Sequence, residues 1–256
     1  MASAVAIMGA VMETAEGEIK CEKTLNGSSA TMIFLTSVIA QVLLAALLQA
    51  IGGAKLEPLG ECLFPIIGIA VTVAMVRFLI PKELKSMGPA GLAWSAGPLD
   101  GVLKGLVIGS FLGLGSLLLD RMYYPYPIHT LQKIEPLNNW LISPGVQQLA
   151  AVAAIVFLAP VSEEMMFRSV LYGGCRRSLG PLSAATITTA IFVAFHFPYY
   201  IEAPFEIVPF IVAALAFLWC RLKWNAIGPA IAAHAGCNLM AVVPSIHWTL
   251  QRYHSL

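Results

Sequence analysis

Three apolar stretches of this chain carry side chains that can move protons. The first, Ala159-Pro160-Val161-Ser162-Glu163-Glu164-Met165-Met166-Phe167-Arg168, holds two adjacent glutamates and an arginine. The later two hold His196 and His234, the second with Asn238 four residues on. Ionisable groups at membrane depth are costly and mark functional sites when they occur. Neighbours on a helix point about 100° apart, so Glu163 and Glu164 cannot both face one small site. Glu164 and Arg168 share a face at i,i+4 and are expected to form an ion pair. That leaves Glu163 as a general base for water, with His196 able to share the water. His234 and Asn238, four apart, can donate to an oxyanion. A base, a water and an oxyanion hole make an amide hydrolase that needs no covalent intermediate.

Each residue alone has a plainer reading. Glu164–Arg168 can be a structural pair, His196 an interfacial histidine beside Pro198, and Asn238 glue between membrane helices. The inference rests on the constellation. His129, His247 and His254 lie at segment ends or in loops and receive no role. Glu202 and Glu206 are expected to be solvated loop residues.

The elements that must position these groups are membrane helices. The 256-residue chain is 58% hydrophobic and only 11% charged, against about 25% charged in soluble domains; its mean hydropathy is +0.79. A net charge of +1 gives no electrostatic case for nucleic-acid binding. The expectation is an all-α polytopic bundle of seven to eight helices around an intramembrane cavity. Seven segments suit a ~30 Å hydrocarbon core: Thr31–Ile51, Leu63–Ile80, Val102–Leu119, Val146–Tyr172 ending at Gly173-Gly174, Leu182–Phe197 after Gly180-Pro181, Glu206–Trp219 and Pro229–His247. The stretch 121–145 leaves room for a further half-helix, and no repeat is evident. The chain divides into a cytosolic tail (1–28), N-terminal membrane helices (29–141), catalytic helices (142–247) and a short C-terminal tail (248–256). The tail's apolar run Ala4–Met12 lacks a preceding basic residue and reads poorly as a signal peptide.

With a cytosolic N-terminus, eleven of the 15 Lys and Arg residues fall in cytosolic segments and four (Lys55, Arg121, Lys133, Arg252) on the other side, a positive-inside bias. The expected location is the plasma membrane, with the site opening to the cytosol. At 1.5 Å per residue, Glu163 lies roughly 15 Å below the helix end at Gly173, His196 roughly 21 Å below Leu182, and His234 and Asn238 roughly 8 and 14 Å below Pro229. Trp94, Trp140, Trp248 and Tyr123-Tyr124 suit an interfacial aromatic belt. The scattered Cys21, Cys62, Cys175, Cys220 and Cys237 read as reduced small hydrophobes.

In this order the residues resemble the intramembrane glutamic proteases of the CPBP (Abi) family, which includes type II CAAX prenyl endopeptidases and bacteriocin-processing or immunity proteins. The family pattern is EExxxR, FxxxH and HxxxN. Glu163-Glu164-Met165-Met166-Phe167-Arg168, Phe192-Val193-Ala194-Phe195-His196 and His234-Ala235-Gly236-Cys237-Asn238 match it. The resemblance covers about 142–247. It implies Glu163 as the base, His196 assisting, His234 and Asn238 as the oxyanion hole, Phe192 in a supporting position, and Glu164 and Arg168 orienting the site or substrate. It also implies no cofactor and, as partner, a membrane-associated peptide or lipidated protein in the bilayer.

Two alternatives stand beside this. Glu163, His196 and His234 supply a His₂Glu set that zinc accepts in metalloproteases, though without HExxH spacing. A buried acid with histidines can also relay protons in a transporter, or belong to a non-enzymatic immunity or scaffold protein. Serine and aspartyl chemistry fit worse: there is no GxSG or GxGD, and Asp100 and Asp120 sit at helix ends.

Overall fold

The computed structural model describes residues 25–86, 88, 91–123, 140–197, 201 and 204–254. The expected tail through residue 24 with Cys21, the stretch 124–139 with His129 and the space for a half-helix, and Tyr124, Pro198 and Glu202 lie outside the described residues.

Among the described residues the fold is helical, without strands. Helix α1 spans Gly27–Gly52, α2 Glu57–Leu79, the short α3 Lys82–Ser86, and α4 Leu99–Tyr123. A long run then joins α5 (Val146–Ala153), a π-helical turn (Ala154–Leu158), α6 (Ala159–Glu163), a second π-helical turn (Glu164–Leu171) and α7 (Tyr172–Phe195). Helices α8 (Ile207–Trp224) and α9 (Gly228–His254) complete the bundle. Local chemistry sets the ends. Asn26 caps α1 by accepting the Ser28 N–H at 3.0 Å, as Ncap residues do. Pro81 follows α2. Asn225 adopts the left-handed conformation at the end of α8 (φ 48°, ψ 34°), which asparagine tolerates.

Among the described residues, six helices are long and apolar enough to cross a membrane. One of them, Val146–Phe195, has 50 residues, roughly 75 Å of helix and more than two bilayer cores. It is broken at Gly180 (φ 75°, ψ 168°), just before Pro181, and folds back there. Phe167 and Phe192 lie 25 positions apart, yet their rings meet at 5.1 Å. Among the described residues the six helices therefore provide seven helical segments, matching the seven apolar segments of the sequence. One boundary differs from expectation. The helix does not stop at Gly173-Gly174; it continues to Gly180. These glycines instead permit close approach: a Cβ at Gly173 would meet Gly91 O at 2.8 Å, and one at Gly174 would meet Ala30 Cβ at 2.2 Å. Helix α9 likewise runs past His247 to His254, through the stretch read as a tail.

The bundle is apolar outside and polar inside. Leu35, Ile39, Val42, Leu43 and Leu47 of α1 are exposed, while Ser37, Gln41, Thr72, Glu164, Arg168, Arg221 and His234 are buried. This is an integral multi-pass membrane protein, since such a surface suits lipid tails. Helix contacts in lipid draw on close packing and hydrogen bonds more than on hydrophobic burial. Ser37 Oγ and Thr72 Oγ1 pair at 2.9 Å between α1 and α2, and Gln41 Nε2 donates to Ser37 O at 3.0 Å. Trp94 and Trp140 are partly buried and pack against core clusters. Leu25, Ile80, Leu84 and Leu92 share one cluster, and Gly228 abuts Ala96. One end of the bundle thus gathers the chain entry, the α2–α4 connection and the α8–α9 turn, all assigned to one side by the charge count. Cys62, Cys175, Cys220 and Cys237 are free thiols. Glu206, expected in a solvated loop, is half-buried and hydrogen-bonded to Asp120.

Candidate active site

Glu163 ends α6 and Glu164 opens the second π-helical turn, whose eight residues are all buried. π-helical turns widen a helix by one residue and recur at functional sites. As neighbours on a helix, the two glutamates diverge. The Glu163 side chain is 25% exposed and faces His196 and His234. That of Glu164 is fully buried against Arg168.

The two carboxylates have different neighbourhoods. Glu164 Oε1 lies 3.1 Å from Arg168 Nη1 and 2.9 Å from His234 Nδ1. Arg168 also donates through Nη2 to Ala214 O at 3.3 Å, and its guanidinium carbon sits 3.8 Å from the Phe192 ring centroid. Phe192, the first residue of FxxxH, is therefore the aromatic floor beneath the buried cation. The cation, its carboxylate and His234 form one network inside the bundle. Glu163 Oε2 lies 3.6 Å from His196 Nε2 and 3.9 Å from His234 Nε2. Both separations exceed direct hydrogen-bond length and suit a water held between the groups.

Hydrogen bonds set the ring tautomers. His196 Nδ1 lies 2.8 Å from Phe192 O; a carbonyl only accepts, so this nitrogen carries the proton. In neutral His196, Nε2 then presents a lone pair toward Glu163. His234 Nδ1 similarly faces the Glu164 carboxylate, and the ring stacks on Phe217 at 4.6 Å. With Nδ1–H committed to Glu164, His234 donates from Nε2 only as an imidazolium.

Asn238 follows His234 by one turn on α9. Its Nδ2 donates to Ile155 O, in the first π-helical turn, at 2.9 Å. One of its two amide hydrogens is thus spent on a helix-to-helix tie, and the other remains for a ligand. The structure brings Glu163, Glu164, Arg168, Phe192, His196 and His234 into one contact network, with Asn238 bound one turn away. Among the described residues, no group of three or more His, Cys, Asp or Glu side chains is arranged to hold a metal ion.

The sequence reading missed a supporting feature. Gly101, Gly105, Gly109 and Gly113 form the buried face of α4, at four-residue spacing that brings membrane helices together. A Cβ at Gly105 would lie 2.2 Å from Pro229 O, at Gly109 1.7 Å from Ala233 O, and at Gly113 2.6 Å from Cys237 O. Helix α4 thus meets the backbone of α9 at the residues preceding His234 and Asn238. The fourfold glycine spacing was the available signal.

No curated protein and no solved structure gives a match to this chain. One family model does, over residues 145–240, a span that contains every residue of the site. That part of the chain is similar to the Type II CAAX prenyl endopeptidase Rce1-like family, as the three motifs in their order had suggested.

Proposed function

We propose that this protein is an intramembrane endopeptidase in which Glu163 activates water to hydrolyse a peptide bond. The substrate is a membrane-associated or lipidated protein or peptide, in CAAX-type processing or peptide maturation. The observation that carries the reading is Glu163 Oε2 facing the Nε2 atoms of two histidines at 3.6 and 3.9 Å, in the segment that matches the protease family. A water bound there donates one hydrogen to Glu163 and the other to the His196 Nε2 lone pair. Glu163 takes a proton as the oxygen attacks the scissile carbonyl. The free amide hydrogen of Asn238, with Nε2–H of His234 when that ring is cationic, holds the oxyanion. Collapse returns the proton from Glu163 to the leaving amine, giving one new carboxylate terminus and one new amine. Glu164 serves His234: a buried carboxylate fixed by Arg168 orients the ring and supports its positive charge. The excess of Lys and Arg at one end of the bundle supports reading that end as cytosolic, with substrate entering from there.

The test is terminomics on host membranes, comparing wild type with a chromosomal Glu163→Gln variant at equal expression. Protein termini that disappear in the variant establish proteolysis and show whether the substrates end in a lipidated cysteine. Identical termini under several growth conditions would sink the protease reading in favour of binding or transport.

A further inference from the structure

We propose that Arg221, outside the three motifs, is a positioning residue that sets the two halves of the site through a backbone strap formed by residues 91–96. The proposal rests on the protease reading above. The strap touches both elements that supply the reacting groups. On one side, Ser169 Oγ, in the π-helical turn that begins at Glu164, donates to Leu92 O. On the other, Ile227 N donates to Ala93 O at 2.9 Å and Gly228 N to Ser95 O at 3.1 Å, at the start of the helix carrying His234. Two further bonds, Leu92 N to Leu84 O at 2.9 Å and Trp94 N to Lys85 O at 2.8 Å, tie it to α3.

Arg221 fixes this strap in place. Its Nη2 donates to Gly91 O at 2.7 Å and to Gly88 O at 3.1 Å. The residue is fully buried and lies over the Tyr172 ring at 5.1 Å, while its Nε and Nη1 make no hydrogen bond among the described residues. A buried guanidinium in a membrane helix is costly, and an apolar side chain would fill the space at less cost. Stability alone therefore gives little reason for an arginine here; the two carbonyls it holds give one. The strap itself carries strain. Ala93 is fully buried with φ at 51°, a conformation non-glycine residues adopt only when their surroundings dictate it. The close approaches are built for this backbone: a Cβ at Gly173 would meet Gly91 O, and one at Gly228 would meet Ala96 O at 2.0 Å.

The test is a double-mutant cycle on the intact protein in proteoliposomes, with kcat, KM and thermal midpoint measured for Arg221→Met, Ser169→Ala and the double variant. Glu163→Gln gives the baseline. Ser169→Ala removes one oxygen and keeps the cycle readable should Arg221→Met fold poorly. Loss of the buried hydrogen bonds that hold the strap, one for Ser169→Ala and two for Arg221→Met, predicts a fall in kcat of about fivefold to tenfold for each single variant, with KM unchanged. Because both act through the strap, the double variant falls no further than the weaker single. Fold changes that multiply, or a lowered midpoint with full kcat, would overturn the positioning role. Wild-type turnover no greater than that of Glu163→Gln would instead sink the parent reading, and this one with it.

Discussion

Gly109→Ala tests whether the backbone contact between α4 and α9 sets the geometry of the site. The added methyl would sit 1.7 Å from Ala233 O and 2.5 Å from Ala233 C. Real Cβ atoms essentially never approach a neighbour within 3.0 Å, so the helices must separate by about 1.3 Å locally. No flexible side-chain end lies there to yield; the obstacle is backbone. His234 is the next residue on α9 and moves with it, which changes its distance to Glu163 Oε2, now 3.9 Å from its Nε2. A misplacement of about 1 Å in a catalytic constellation can cost about 10²-fold in rate. The expected result is a fall in kcat/KM on the order of 10²-fold, measured in proteoliposomes on a peptide spanning a Glu163-dependent cleavage point. Gly115→Ala on the same helix is the control. No heavy atom lies within 4 Å of its Cβ position, and alanine favours helix over glycine by about 1 kcal/mol. It should retain full activity and an equal or higher thermal midpoint. Gly109→Ala turning over within about twofold of wild type, with an unchanged midpoint, would refute the argument.

Replacing Glu164 with Gln strands Arg168 in a buried site. Removing one partner of a buried pair costs about 3–5 kcal/mol, so the thermal midpoint should fall by several degrees, whereas Glu164→Leu with Arg168→Met should recover midpoint without activity. An Asn238→Ala variant separates two roles. Loss of an oxyanion donor predicts a 10²- to 10³-fold fall in kcat, whereas loss of only the tie to Ile155 O predicts about 0.6 kcal/mol of stability and nearly normal turnover. Dialysis against a strong chelator should leave turnover unchanged; activity lost on dialysis and restored by zinc would favour the His₂Glu alternative.

The helical membrane fold was legible because composition, Gly-Pro boundaries and segment length all reported the same solvent. The turn at Gly180-Pro181 was readable for that reason. The helix through Gly173-Gly174 was not, because these glycines serve close packing, and spacing alone does not distinguish a helix end from a close approach. The ion pair of Glu164 with Arg168 followed from i,i+4 spacing. Its link to His234 did not, because that contact depends on how α9 docks across the bundle. Periodicity also could not show the π-helical turns or that Ile155 O takes one hydrogen of Asn238. The helices before residue 145 carry no family motif, yet α4 supplies the close approach that seats α9.

The glycine face of α4 has a consequence for how the molecule can vary and be divided. The segment 145–240 contains all the side chains of the candidate site but is not self-sufficient: the carbonyls of Pro229, Ala233 and Cys237 press against a helix outside it. What α4 contributes is absence of side chain, a demand that ordinary chemical motifs do not encode. Its lipid-facing positions are free to drift among apolar residues, while four positions are confined to the smallest side chain. A chimera that grafts 145–240 onto foreign leading helices would hold the site only if a donor helix brought glycine at the same four-residue interval.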